Sequence, residues 1–431
     1  MQRLIQLKLK ILAKMILAKY KPKIIGITGS VGKTSVREAI YTVLKEKHNV
    51  RRSIKNYNNE LGVPLTIINA TAPGKNIFGW VAVFFCALKL ILFKEKNYPE
   101  ILVLEMGVDK PGDMDYLNSI VKCQVGVLTM VGTVHAEYFK SREQLRQEKA
   151  KLIKAIPSGG WAIANYDNIA SRKSLECSAA QKLTYGLDEQ ADVRADKISY
   201  DFGKIRNSSG LAGVKFRLSY KRDSAEVTLP GVFGPGVVYS GLAAAAVGIS
   251  QGETLGEIAL ALKSYESPKG RMRVIDGIKR TIIFDDSYNA EPKSMRAALG
   301  VLKRIPLKSG ARKFAVLGDM LELGKYSEQM HQDIGKYVFK CGIDKLIVVG
   351  ERARDIARGA KEVGMKRDNI FNFADSVQAG RFLQDRIKEH DLILVKGSQG
   401  VRMEKIVLEI MADPQRAKEL LVRQDKSWVG K

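Results

Sequence analysis

A chain of 431 residues with 45% hydrophobic content is long enough to bury the cores of two or three domains, which excludes a disordered or fibrous protein. Its 71 basic and 46 acidic residues leave a net charge of +25, an excess that suits nucleic acid, an anionic membrane surface or an acidic ligand. No nucleic-acid motif and no basic stretch interleaved with aromatics accompanies the charge, so a nucleic-acid partner is not expected.

Cys86, Cys123, Cys177 and Cys341 have no metal-like spacing, which points to a reducing compartment without a disulfide framework. The N-terminal residues lack the small-residue cleavage site of a signal peptide.

Residues 1–23 carry seven basic side chains and no acid. On a helical wheel Arg3, Gln6, Lys10 and Lys14 share one side. Leu4, Ile5, Leu9, Ile11, Leu12, Met15 and Ile16 populate the other, with Lys8 intruding. Two readings stand: a basic amphipathic helix on an anionic membrane, or a helix packed on the protein with solvated lysines.

The next element is an apolar strand, Ile24-Ile25-Gly26-Ile27. It leads into Thr28-Gly29-Ser30-Val31-Gly32-Lys33-Thr34-Ser35 and then a helical run over 36–44. Strand, glycine-rich loop and helix in this order make a phosphate-binding loop. Gly29 and Gly32 let the backbone curl around phosphates, Lys33 reaches the terminal ones, and Thr34 offers a hydroxyl to Mg²⁺.

Residues 77–93 form an apolar run of seventeen with one charge, Lys89. A crossing helix needs about 20 residues, and both flanks serve one domain, so we expect membrane association without spanning, or a core helix. The strand at 101–104 ends in Glu105-Met106-Gly107, where Glu105 suits Mg²⁺ or is an ordinary loop acid. His135 follows the strand at 125–129, where ligands bind in parallel sheets, although an isolated histidine there can be structural.

Strands and helices alternate through 161–164 to about residue 265, with a β-rich excursion over 190–230. After the linker Ser267-Pro268-Lys269-Gly270, strands recur at 281–284, 313–317, 345–349 and 392–395. Asp285-Asp286-Ser287-Tyr288-Asn289-Ala290-Glu291-Pro292 ends the first of these. It can border a nucleoside or simply start a helix.

The expected fold is α/β: a P-loop ATPase-type central domain with a parallel sheet, then a smaller Rossmann-like α/β domain. The boundaries read as a basic arm at 1–23, a central domain at 24–266 with 77–93 inserted, and a C-terminal domain at 267–431. A nucleotide switch or a non-catalytic membrane scaffold is the competing class. Asp109-Lys110-Pro111-Gly112 superficially matches a GTPase switch, but no Asn-Lys-x-Asp guanine-reading motif is present.

The ordered set of motifs resembles the Mur ligase family of ATP-dependent amide-forming enzymes. The matching segments are TGSVGKTS (28–35), NYNNELGVPLTI (56–67), LEMG (104–107), VGTVHAEYF (131–139), EKAKLI (148–153), KGR (269–271), DDSYNAEPKSM (285–295), LGDMLELG (317–324) with His331, and VKGSQGVRMEKIV (395–407). DDSYNAEP and LGDMLELG point to the branch that adds D-alanyl-D-alanine to a UDP-linked muramyl tripeptide.

The resemblance implies ATP and two Mg²⁺ ions as cofactors. Gly29, Ser30, Val31, Gly32, Lys33, Thr34 and Ser35 would cradle ATP, with Asn165 and Asp167 facing adenine and Asp286, Tyr288 and Asn289 bordering the nucleoside. Arg271 would reach the phosphates from the second domain. Thr34, Glu105, His135 and a carbamylated Lys149 would hold metal. Asn58 and Asn59 would face the acceptor, and Lys396 and Ser398 the incoming amine.

The implied partners are a muramyl-peptide acceptor and D-alanyl-D-alanine. The implied chemistry converts a carboxylate to an acyl phosphate that the amine then attacks. The sequence departs from the family at two places. The basic arm stands where the family carries its UDP-sugar domain, and Gly236-Val237 replaces a His-Asn pair. Together they raise a lipid-linked acceptor as a second reading. The expected location is cytoplasmic, peripheral on the inner face of the membrane.

Overall fold

The computed structural model describes residues 2–54, 57–132, 139, 141–201, 213–425 and 428. The chain divides into two compact units. One comprises 1–198, 216–227 and 238–265, the other 199–215, 228–237 and 266–431.

The first unit begins with helix α1 (Gln2–Tyr20), strand β1 (Lys23–Thr28) and helix α2 (Lys33–Leu44). Strand β2 (Val50–Arg52), helices α3 (Gly62–Ile68) and α4 (Ile77–Leu92), and strand β3 (Ile101–Glu105) follow. Then come α5 (Asp113–Asn118), β4 (Val125–Leu128), α6 (Arg142–Lys154), β5 (Trp161–Asn165), α7 (Ile169–Lys173) and β6 (Gln181–Gly186). Strands β7 (Val193–Asp201), β8 (Gly213–Tyr220) and β9 (Asp223–Leu229) complete the β-rich excursion, and helices α8 (Pro235–Ser250) and α9 (Leu255–Leu262) lead out of it.

The sheet order is β2-β3-β1-β4-β5-β6-β7-β8-β9. Every pair from β2 to β7 is parallel. Because β3 and β4 flank β1, the chain reverses direction across the sheet at β1. That is the switch point at which open α/β sheets form a ligand crevice.

The second unit carries β10 (Arg273–Asp276), β11 (Ile282–Asp286), α10 (Pro292–Arg304), β12 (Lys313–Gly318) and α11 (Ser327–Lys340). Next come β13 (Lys345–Val349), α12 (Arg354–Glu362), β14 (Ile370–Phe373), α13 (Ser376–Arg386), β15 (Leu392–Lys396) and α14 (Glu404–Ile410). The sheet order is β10-β11-β15-β12-β13-β14, parallel except for β10.

Alternate residues of its strands feed two separate cores. Phe284, Leu317 and Leu394 join one, while Ile283, Val316 and Val395 join the other. A strand covered on both faces needs apolar residues at every position, which is why these strands read as continuous hydrophobic runs. Helix α10 opens with Pro292 at its first turn, and the Ser294 hydroxyl accepts the Glu291 N–H at 3.2 Å, as the helix-start reading expected.

Helix α1 is joined to the first unit along one face. Leu9, Ala13 and Ile16 are fully buried, and the helix packs on α3 and α4. The Lys10 ammonium donates to Ser119 Oγ at 2.6 Å, and Gln6 Nε2 to Glu60 Oε1 at 3.1 Å. The apolar arc of the helical wheel is therefore split. One stripe serves the fold, while Leu4, Leu7, Ile11 and Met15 stay exposed.

Leu9→Ala should lower the unfolding free energy by about 2–5 kcal/mol, the usual loss for emptying a buried leucine site. Urea denaturation of the full chain measures it. An unchanged midpoint would mean that α1 contributes nothing to the folded core.

Candidate functional site

The phosphate loop leaves β1 and enters α2 through two glycines with positive φ. Gly29 has φ 145°, and a Cβ there would lie 1.9 Å from Thr129 Oγ1. Gly32 has φ 88° in the left-handed region and caps α2. A side chain at either position is disfavoured, by contact at the first and by backbone strain at the second.

The loop is tied to the end of β4. Ser30 N–H donates to Met130 O at 2.6 Å, and Thr129 Oγ1 donates to Val31 O at 2.7 Å. Gly132 N–H donates to Ser30 Oγ at 3.0 Å. This leaves the positive end of α2 at the edge of a parallel sheet, the arrangement that receives phosphate groups.

Lys33 Nζ donates to Gly29 O at 2.7 Å. Lys149, on α6, is 1% exposed and its Nζ lies 3.4 Å from the same carbonyl. Burial, followed by the neighbouring Lys33 charge, lowers Lys149 to about 7. Two lysines therefore converge on one carbonyl oxygen, and the buried one is close to giving up its proton at neutral pH.

Glu105 ends β3 beside them and is also 1% exposed. Thr34 Oγ1 donates to its Oε1 at 2.9 Å, and Arg37 Nη1 to its Oε2 at 2.9 Å. Arg37, which the sequence reading did not single out, belongs to this cluster through that contact. Its signal was position: Thr34 and Arg37 stand three apart on α2, which puts both on the helix face toward β3. The hydroxyl and carboxylate oxygens of Thr34 and Glu105 are hard donors of the kind Mg²⁺ takes. His135 lies outside the described residues.

Asn59 Oδ1 accepts the N–H groups of Leu61 and Gly62 at 3.3 and 2.9 Å, at the start of α3. Asn58 O accepts from Gly107 N–H at 2.6 Å, directly after Glu105. Asn59 also lines a cavity of about 520 Å³, together with Arg3, Gln6, Gly107 and Lys110. Asp109-Lys110-Pro111-Gly112, which superficially resembles a GTPase switch, forms part of this wall, and the Asp113 carboxylate accepts the Asp109 and Lys110 N–H groups.

Asn165 and Asp167 follow β5. Asn165 Oδ1 accepts Asp167 N–H at 2.9 Å. The Asp167 carboxylate accepts from Leu187 N–H, Asp188 N–H and the Tyr239 hydroxyl, the last at 2.7 Å. Asp167 thus organises the turn after β6, while Asn165 sits buried at the strand end.

The second unit gathers its own set at the ends of β11 and β15. Asp286 and Lys396 are register partners on these parallel strands. Their side chains form an ion pair at 2.6 Å, both largely buried, and Lys396 Nζ also donates to Asn289 O at 2.9 Å. The Arg271 guanidinium lies over the Tyr288 ring at 4.1 Å. Ser398 Oγ accepts Leu321 N–H at 2.9 Å and donates to Ala290 O at 3.3 Å. Lys396 and Ser398 therefore hold the 286–290 turn in place.

His331 is fully buried in this unit. Its Nε2 accepts Met320 N–H at 3.0 Å and its Nδ1 faces Ser327 O at 2.7 Å, which selects the neutral tautomer protonated on Nδ1.

A phosphate loop at a sheet switch point, with a carboxylate on the adjacent strand, defines a P-loop enzyme that works on a nucleoside triphosphate. Residues 27–78 and 86–248 match the Mur ligase middle domain, and 270–399 match the Mur ligase, glutamate ligase domain. The break between 78 and 86 falls within α4.

The sequence is 31% identical over 415 residues to the UDP-N-acetylmuramoyl-tripeptide--D-alanyl-D-alanine ligase of Mycobacterium leprae, covering 90% of this chain and 74% of that protein. The fold is similar to MurF from Acinetobacter baumannii, with TM-score 0.76 and 26% identity over 95% of this chain and 81% of that one. It is also similar to MurF ligase from Thermotoga maritima in complex with ADP, with TM-score 0.75 and 27% identity over 93% and 82% of the two chains.

The chain belongs to the Mur ligase family. It is an ATP-dependent ligase that forms amide bonds.

Burial lowers the pKa of His331 below its ordinary value of ~6.5, so the unfolded chain takes up the proton first. The stabilisation is complete above ~6.5 and is lost as pH falls through the lower folded value. Urea midpoints should fall between pH 7.5 and 5.5 by more in the wild type than in His331→Gln. Equal slopes would remove His331 as the source.

Proposed function

We propose that the enzyme joins D-alanyl-D-alanine to a muramyl tripeptide in the synthesis of cell-wall peptide precursors, with domain 24–266 handling ATP and acceptor and 267–431 the rest. The observation that carries this reading is the convergence of Lys33 and buried Lys149 on the Gly29 carbonyl, beside the Thr34–Glu105 pair. The relative from Mycobacterium leprae is named for this reaction.

A carboxylate is a poor acyl donor. Transfer of the γ-phosphoryl group from ATP makes it an acyl phosphate and releases ADP. The amine then attacks the acyl carbon, phosphate leaves with the bonding pair, and the nitrogen gives up a proton. In this reading Lys33 would leave the Gly29 carbonyl for the phosphate chain and offset charge during the transfer. Arg37 keeps the Glu105 carboxylate oriented.

Thr34 and Glu105 would hold Mg²⁺, which screens the phosphate oxygens when bound. Lys149 is proposed to be carbamylated, joined with His135 in holding a second ion. Carbamylation needs a free amine, which attacks CO₂ and loses a proton, and a lysine lowered to about 7 has that form available at neutral pH. Within the second unit we assign nucleotide contacts to Arg271, Asp286, Tyr288 and Asn289. Lys396 and Ser398 would shape the side that meets the amine, and Asn58 and Asn59 the acceptor side.

ATP-driven chemistry and four free cysteines suit the cytoplasmic side, at the inner membrane surface. A lipid-linked muramyl peptide is the second acceptor reading, favoured by the presence of Arg3 and Gln6 from α1 in the wall of the cavity that holds Asn59.

The test is ATP-dependent phosphate release with soluble and lipid-linked muramyl tripeptides, each with and without D-alanyl-D-alanine, and mass analysis of the amide. Release should require both substrates, and Lys33→Ala should lower it by at least about a hundredfold in a folded protein. Release without either peptide, or wild-type turnover in Lys33→Ala, would defeat the proposal.

Lys149→Ala should be about as inactive and regain part of its rate in acetate, because a missing anionic donor is replaceable in trans. Intact wild-type protein sprayed from bicarbonate should carry the mass of one CO₂ that Lys149→Ala lacks. An unmodified wild type with full activity would show that the carbamate is not used.

A further inference from the structure

Helix α4 is apolar on nearly every face, yet only Val83 and Ala87 are buried in it. Phe78 is 86% exposed, Phe85 70% and Leu92 71%, and Ile77, Val81, Leu88 and Phe93 are exposed with them. Positions 78, 81, 85, 88 and 92 recur at helical spacing, so they form one continuous ridge. A patch of this kind on a water-facing surface marks a binding face.

Helix α1 lies against α4 and extends that face. The Lys19 ammonium donates to the carbonyls of Leu90, Ile91 and Phe93 at 3.0, 2.8 and 2.7 Å, which closes the C-terminal end of α4. The Tyr20 hydroxyl donates to Leu90 O at 2.9 Å. Lys8 Nζ sits 5.8 Å from the Phe84 ring centroid. The outward stripe of α1 mixes Leu4, Leu7, Ile11 and Met15 with Arg3, Lys8 and Lys14, all exposed. Lys75, Lys89, Lys94 and Lys96 are exposed around α4, with Glu95 the one acid among them.

Among the described residues no helix is long and apolar enough to cross a membrane. We infer that α1 and α4 together form a docking face for an anionic lipid bilayer, with the α4 ridge entering the headgroup and upper acyl region and the lysines meeting the headgroups. Charge complementarity selects this occupant. A protein interface depletes lysine around its apolar centre, whereas an interfacial helix keeps lysines whose stems lie along the apolar surface. Two helices fixed to each other present one rigid surface, so the apolar and electrostatic contributions act together. Arg3 and Gln6 put the cavity that holds Asn59 beside the N-terminal end of this face.

The experiment is flotation of the full chain with vesicles of phosphatidylcholine alone or mixed with phosphatidylglycerol, at low and high salt. Wild type should float with the anionic vesicles at low salt, and salt or omission of phosphatidylglycerol should weaken it at least tenfold. Phe78→Ser combined with Phe85→Ser should lose flotation at least tenfold. Because both side chains are exposed, its melting temperature and its ATP-dependent phosphate release without vesicles should stay unchanged. Lys89→Gln combined with Lys94→Gln should weaken binding to anionic vesicles only.

A wild type that stays in the lower fractions at low salt overturns the inference, as does a serine variant that floats normally. Light scattering that finds a wild-type dimer, converted to monomer by the serine variant, without flotation of either, would assign the ridge to a second copy instead. Phosphate release is read separately, so failure of docking and failure of the ligase reading are distinguishable.

Discussion

Ile27 pairs with Glu105, and Thr28 with Leu128, in parallel register on the two sides of β1. Three adjacent strands thus end at one edge, and the segments that leave them meet. The phosphate loop, Glu105 and the Thr129–Met130 turn come together for that reason, although they lie far apart in the chain. Helix α6 then has only to pass beneath the loop for Lys149 to reach the Gly29 carbonyl. The second unit repeats the device on β11 and β15, where the register pairs Asp286 with Lys396. A parallel sheet cannot return its chain by a hairpin, so β1, β3 and β4 each open at this edge into a crossover connection free to carry functional side chains.

Electrostatics in the first unit follow from what that edge buries. Lys33 and Lys149 are like charges in a poorly solvated corner, where repulsion and desolvation both favour the neutral form of the more buried one. Glu105 is equally buried, but Arg37 and Thr34 satisfy both of its oxygens. An unpaired carboxylate at that depth would be costly. Lys396 and Asp286 resolve the same problem in the second unit by pairing with each other, which makes Lys396 a holder of the turn.

The strands legible in the sequence were those with both faces covered, such as 24–27, 101–104, 313–317 and 345–349. A strand buried on both sides writes itself as an unbroken apolar run. The edge strand β2, with the sequence Val50-Arg51-Arg52, is short and half-exposed, and leaves no such trace. β10 and β14 are likewise partly exposed edges. In the site, the loop motif and Glu105 were readable because their chemistry demands particular residue types next to a strand. Arg37 was not, since an arginine in a helix usually points to water and only the position of β3 turns it inward.

The order of the motifs, the nucleotide loop, the family and the presence of two apolar segments with lysines around them are all written in the residues. Which side of those segments faces inward is not. Residues 1–23 and 77–93 carry more apolar side chains than a single buried stripe needs. Their division between core and surface depends on the neighbours that supply the other half of each contact. In the folded chain Leu9, Ala13 and Ile16 close over α3 and α4, while Phe78, Phe85 and Leu92 remain outside. Burial is a property of pairs of surfaces, and a linear sequence specifies only one member of each pair at a time.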